Sequence, residues 1–414
     1  PGPYPHPMNM TAKLNIEGDL SEDEEDMVGA FIDGELRGSG HIRYLPALDE
    51  YMAFMTIYGD TSDQNKPINL EIWDASECLR YGEVIEQFVF EVDNVVGTVG
   101  NPLILRTNSQ VRRDIPLNAG WNWISFNLAL PDPALNPALA SLEHPENDLL
   151  KAQSSFALFF GNEWVGSLNA VNNANMFQYR ADVPDTIRMV GGLIDPATVA
   201  IPIATGWNWI GYVPNYALPV STALAGLLPV NGDIIKGQTA FAQYLAGFGW
   251  LGSLQFLEPP KGYQLKISAP GTLTYPQQNF AGDIVTARGK PTPISSHWVV
   301  DPAQFEHSMT LVGMLSVNGE NATQEQQELG AFAGAELRGA AQAIYIEPLQ
   351  AYLFFLTVYA NATGEQLTFK LFDGATGQVH ELTEKMYFAA NLHQGEIEAP
   401  MPFTLQTSSL ADTE

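Results

Sequence analysis

The pentapeptide Gly120-Trp121-Asn122-Trp123-Ile124 returns as Gly206-Trp207-Asn208-Trp209-Ile210, and its surroundings return with it. Ile115-Pro116-Leu117 matches Ile201-Pro202-Ile203, Asp148 to Lys151 matches Asp233 to Lys236, and Trp164 to Leu168 matches Trp250 to Leu254. An offset held near 85 or 86 residues means two copies of one folding unit, 115–200 and 201–286, set head to tail. In each copy the pentapeptide opens a strand, and helix-tolerant residues follow at 134–142 and 220–228. Pro131, Pro133 and Pro219 stand where a first helical turn tolerates proline. Strands are then predicted at 156–160, 164–168 and 176–180, with 241–245, 250–254 and 262–267 as their counterparts.

The flanks are a second unit in two copies. Val28 to Phe31 and Glu35 to Gly38 match Leu329 to Phe332 and Glu336 to Gly339, and Tyr51 to Tyr58 matches Tyr352 to Tyr359. Asp33-Gly34 lies between two β-prone runs and predicts a type I′ hairpin turn, in which both central residues need positive φ. Short strands over about a hundred residues predict an antiparallel sandwich. The chain reads as all-β and multidomain with minor short helices. Its parts are a Pro-rich linker or strand remnant (1–9), a sandwich (10–114), the two repeats, a linker (287–297), a sandwich (298–407) and a tail (408–414). Beginning at Pro1 without a signal-peptide pattern, it reads as a piece of something longer.

Both unit types resemble known modules. The repeat, with Gly-Trp-Asn-Trp-Ile, Asp233-Ile234-Ile235-Lys236, Trp250 to Leu254 and Gly262 to Lys266, is similar to one in very large secreted surface proteins of Bacteroidota and related bacteria. The flanking unit resembles the immunoglobulin-like domain that accompanies it there. The resemblance covers roughly 10–407 and implies an adhesin-like chain exported by a type IX route to the cell surface; that the chain is not an enzyme is expected from its residues, which form no catalytic constellation.

A formal net charge of −28 opposes binding to nucleic acid or anionic membranes, since either begins with a basic patch. No apolar run approaches the ~20 residues of a transmembrane helix. One cysteine, Cys78, excludes a disulfide within the chain. Residues 1–114 hold 8 basic and 21 acidic residues, 115–286 hold 6 and 11, and 287–414 hold 5 and 15. The weakly charged middle is therefore where domains, or copies of the chain, are expected to meet, more strongly as salt screens the acidic flanks. A homo-oligomer or surface filament and contact with other domains of a longer chain are the implied partners.

Trp121 and Trp123 share one face of a strand, as do Trp207 and Trp209. Because Ile124 and Phe126 make the opposite face apolar too, all four are expected in the core. Trp164 and Trp250, beside glycines at hairpin tips, are the candidates for exposed platforms on which a glycan could stack. Asp60, Asp63 and Asn65, and the run Glu22 to Asp26, offer clustered oxygen donors of the kind Ca²⁺ takes. Their counterparts in the other flank are poorer in charge, which favours solvated loops over a metal site. Glu35 with Arg37, and Glu336 with Arg338, predict a cross-strand ion pair or a solvated face. The histidines show no metal spacing, and nothing in the sequence proposes a catalytic group or a cofactor.

Overall fold

Alternation builds the first sandwich: in the strand His6–Ile16 every second residue, Met8, Met10, Ala12 and Leu14, is buried. The computed structural model describes residues 4–17, 19–82, 84–107, 110–276 and 296–405. The tail 408–414 and the linker 287–297, apart from its last two residues, lie outside them. The protein is all-β, with multiple sheets and two four-residue helices, Leu135–Ala138 and Val220–Ala223, among the described residues. No helix there is long and apolar enough to cross a membrane.

The chain divides into two compact units. One comprises Pro1–Ile115, Asn127–Leu142 and Thr186–Ile194, the other Pro116–Phe126, Glu143–Asp185 and Asp195–Glu414. The division runs through the first repeat, since 127–142 and 186–194 fall with the first unit, and it passes within the strand Gln110–Leu117. Strand His6–Ile16 also begins before the expected start at residue 10. Pro7 is accepted near its beginning, where its carbonyl still takes the Asp93 N–H at 2.8 Å.

The two sandwiches share a strand order. The first runs Leu103–Arg106, His6–Ile16, Glu50–Gly59, Glu35–Leu45, Met27–Ile32, Pro67–Asp74, Leu79–Tyr81. The last repeats it with His307–Val317, Ala351–Ala360, Glu336–Ile346, Gln327–Ala333, Gln366–Asp373 and Gln378–Tyr387. Each is mixed rather than purely antiparallel, since His6–Ile16 pairs in parallel with Leu103–Arg106 and His307–Val317 with Met401–Phe403. Asp33 and Gly34 take φ of +52° and +79°, as the type I′ hairpin requires. In the last sandwich Met309, Leu311, Leu329, Phe354, Leu356 and Phe369 belong to one continuous core.

The repeats carry sheets of matching order. Gly120–Ser125, Met176–Ala181, Leu149–Lys151, Phe156–Phe160 and Glu163–Gly166 form one, and Gly206–Ile210, Tyr263–Ile267, Ile234–Lys236, Phe241–Leu245 and Gly249–Gly252 the other. The helices are shorter than 134–142 and 220–228. Beyond each single turn the chain continues in tight turns, with Leu142 N–H bonded to Leu139 O and Leu227 N–H to Leu224 O.

Candidate functional site: the paired repeats and the last sandwich

Each Gly-Trp-Asn-Trp-Ile enters its strand through a turn that only glycine tolerates well, with φ of +91° at Gly120 and +95° at Gly206. The asparagine holds that turn. The Asn122 carboxamide accepts the Asn118 N–H at 2.8 Å and donates to the carbonyls of Asn118 and Gly120 at 2.8 and 2.9 Å. Asn208 does the same with Ala204 and Gly206 at 2.8, 2.7 and 3.0 Å. A buried carboxamide with its donors and acceptor satisfied fixes the strand entry in both copies.

The two strands so presented are outermost in their sheets, and each is met by a glutamine of the other repeat. Gln238 accepts the Trp123 N–H at 3.2 Å and donates to the Trp121 carbonyl at 2.7 Å. Gln153, its counterpart, accepts the Trp209 N–H at 2.9 Å and donates to the Trp207 carbonyl at 2.8 Å. A primary amide here imitates one residue of a neighbouring strand and closes an edge that would otherwise invite another chain. The exchange extends to bridges Ile124↔Lys261 and Asn175↔Ile210, again images of one another. The repeats are thus paired about an approximate two-fold axis.

The last sandwich breaks that symmetry by using the two counterpart lysines differently. Lys151 is ion-paired with Glu306, its ammonium 5.2 Å from the Trp121 ring centroid. Lys236 is buried without a carboxylate: it donates to Asn391 Oδ1 at 3.0 Å and Ser308 Oγ at 3.2 Å, and lies 4.7 and 5.8 Å from the rings of Trp207 and Trp123. Burial pushes its pKa down to about 7. Beside it Phe241 packs on Phe355 with ring centroids 5.4 Å apart, and Ile234 and Leu245 join Val312, Leu353 and Ile397 in a shared apolar cluster. Gln243 lies in this contact, donating to Glu396 and to His393 Nε2 and accepting the Ile397 N–H at 2.8 Å. Because Gln243 donates to Nε2, His393 carries its proton on Nδ1, facing Thr310 Oγ1 at 2.9 Å. Burial holds His393 down at about 4, so it is neutral at physiological pH.

One position separates the local role of the motif from its role in docking. An added Cβ at Gly206 would meet nothing within 4 Å, whereas at Gly120 it would stand 2.1 Å from the Ala303 carbonyl oxygen. Gly206→Ala should therefore cost about 1 kcal/mol of backbone strain alone. Gly120→Ala should cost about 2 kcal/mol, because strain and the displaced 302–304 turn add. Denaturant unfolding of the two variants checks this, and equal losses would contradict it.

Trp121 and Trp123 are buried, but Trp207 and Trp209 are only half-buried, a departure from the expectation of four core tryptophans. Trp164 and Trp250 are half-buried as well. The Trp164 ring meets Phe159 and Tyr179 edge-on at 5.4 and 5.9 Å, and Trp250 meets Tyr244 at 5.5 Å. In the first sandwich Asp63 is buried, not part of a solvated loop. Its carboxylate takes Arg37 and Lys66, each at 2.9 Å, while Asp60 caps the short turn through the Ser62 N–H. Asn65 sits at φ +67°, its N–H bonded to Phe90 O. Lys66 is the main cause of an Asp63 pKa held at about 2. Asp26 is also turned inward, accepting from Ser21 Oγ at 2.5 Å and Ala75 N–H at 2.7 Å. Arg37 is therefore a buried residue rather than part of a solvated face. Its counterpart Arg338 pairs with Glu365 at 2.6 Å, which stands where Lys66 does rather than Asp63: Phe388 N–H bonds to Glu365 O as Phe90 N–H bonds to Lys66 O. Among the described residues no group of three or more His, Cys, Asp or Glu is arranged to hold a metal ion. A groove of about 470 Å³ in the first sandwich is lined by Phe31, Leu70, Glu71, Arg80 and Arg112, whose charges are paired among themselves.

No family model and no curated protein matches the chain. Among solved structures, a chain described as a marsupial T cell receptor aligns with 93% of this chain and 99% of its own length at 7% identity. The TM-score of that alignment is 0.15, too low to bear on the fold of either protein.

Proposed function

We propose that the chain is a non-enzymatic structural and adhesive segment of a secreted bacterial cell-surface protein, serving as a spacer or assembly module outside the cell. The observation that carries this reading is the reciprocal capping of the two tryptophan strands by Gln153 and Gln238. That exchange ties side chains to backbone across two domains and leaves the joint little freedom, as a load-transmitting shaft needs. The resemblance to surface-protein repeats and immunoglobulin-like domains agrees with it, as does an acidic exterior that favours solubility over binding polyanions. A glycan platform finds less support, because Trp164 and Trp250 pack edge-on against aromatic neighbours. An antibody against the chain should label intact cells of the source organism without permeabilisation. Labelling that appears only after permeabilisation would remove the surface reading, and glycan-array binding lost in Trp250→Ala would restore the carbohydrate one.

A further inference from the structure

The contact between the second repeat and the last sandwich has two halves, and each half occurs a second time without its mate. In the second repeat, Phe241, Gln243 and Leu245 lie under the last sandwich and are at most 5% exposed. Their counterparts in the first repeat, Phe156, Leu158 and Phe160, are 52, 36 and 64% exposed, with Val165 beside Leu158 at 52%. Three apolar side chains in a row on one face of an outer hairpin need a cover.

The other half recurs on the first sandwich. Registers make Thr11, Phe54 and Val95 the equivalents of Val312, Phe355 and His393, because Thr11↔Phe54 and Asn9↔Val95 repeat Val312↔Phe355 and Thr310↔His393. The bridge Thr98↔Asn101 repeats Glu396↔Ala399, which places Val99 where Ile397 lies. Phe54, Val95 and Val99 are 41, 61 and 44% exposed.

The two uncovered halves have changed together. Where the covered contact sets Gln243 against His393 and Glu396, the uncovered faces offer Leu158 and, at the sandwich positions, Val95 and Thr98. A polar pair on one side corresponds to an apolar pair on the other, while the two phenylalanines at the centre, Phe241 on Phe355 and Phe156 with Phe54, are kept. Leu158 against His393, or Gln243 against Val95, would leave a buried polar group unmatched, so each repeat face suits its own kind of sandwich face.

We propose that the Phe156–Leu158–Phe160 face of one copy of this chain receives the Phe54–Val95 face of the first sandwich of a second copy, in the mode seen between the second repeat and the last sandwich. The contact is heterologous, joining two different surfaces, so copies would either close a ring or extend head to tail. This deepens the assembly reading and rests on it.

Intermolecular disulfide trapping tests the proposal in the full chain with Cys78→Ser, at ~1 M NaCl where the Debye length of ~3 Å screens the acidic charge. Leu158→Cys and Val95→Cys are made in separate, distinguishably tagged preparations, mixed and oxidised. A mixed disulfide exceeding either homodimer is expected, and Phe160→Asp in the Leu158→Cys chain should abolish it. Both changes are on exposed positions, and an unchanged circular dichroism melt would confirm that the chains fold. Homodimers only through Leu158→Cys would mean a self-facing repeat surface, and no mixed disulfide would mean no such contact; either overturns the proposal. Surface labelling of intact cells would be unaffected by that failure, so the two readings fail separately.

Discussion

Lys236→Met should stabilise the protein below pH 7, by about 2 kcal/mol, and remove most of its stability change between pH 7 and pH 10. An ammonium group sealed from water without a carboxylate is costly, and an apolar side chain of similar length removes that cost without opening a cavity. Faces of Trp207 and Trp123 recover part of it, about 2 kcal/mol. The direction with pH follows from the lowered pKa, about 7 folded against 10.5 unfolded. Between those values the unfolded chain binds the proton that the folded chain has released, so stability rises with pH through the window and the penalty is complete below pH 7. In the wild type the full rise should approach about 5 kcal/mol, most of it between pH 7 and pH 10. His393, which Lys236 and Lys266 both affect, is held down chiefly by burial and titrates well below the window. Urea unfolding of both proteins from pH 6 to pH 10 measures the effect. Parallel profiles would mean that Lys236 reaches water or a counter-charge.

Asp63→Ala should destabilise the first sandwich by about 3 kcal/mol, because it strands Arg37 in the interior with the exposed Glu35 carboxylate at 3.5 Å, the Tyr58 carbonyl at 3.5 Å and the Tyr4 ring for partial compensation. Lys66 keeps Asp33 at 2.7 Å and loses less. With its pKa depressed to about 2, Asp63 contributes stability that is full above about pH 4 and lost as pH falls toward 2. The gap between wild type and variant should therefore close over that interval, which thermal melts at pH 2, 3, 4 and 7 would follow. The same carboxylate was the centre of the calcium candidate. Both of its oxygens are already taken by cations of the chain, and added Ca²⁺ should leave the melting temperature of the wild type where it was.

Architecture was legible because it is written in local periodicity and duplication. The alternation in His6–Ile16, the turn at Asp33-Gly34 and the hairpin 156–166 each depend on residues close in sequence. What joins the domains is not local. Gln153 and Gln238 reach backbone 54 to 117 residues away, and nothing in their own neighbourhoods reveals it. The one available signal was identity between copies: Asn122 with Asn208, Gln153 with Gln238 and Lys151 with Lys236 are the same residue although a strand or turn alone does not demand it. Trp207 and Trp209 were misjudged for the same reason, since how far a strand is covered depends on the domain that meets it. For Arg37 the sequence suggests a cross-strand ion pair or a solvated face, and its burial is not legible because its partner Asp63 comes from a turn 26 positions on.

Hydrogen exchange of the full chain, wild type against Gln238→Ala, tests most directly whether the paired repeats and the last sandwich act as one body. Segments 120–125, 206–210 and 351–360 should share one opening free energy in the wild type, and all three should fall together in the variant, as members of one cooperative unit do. If 120–125 alone loses protection while 351–360 keeps its own, the domains open independently and the coupled-junction account is wrong.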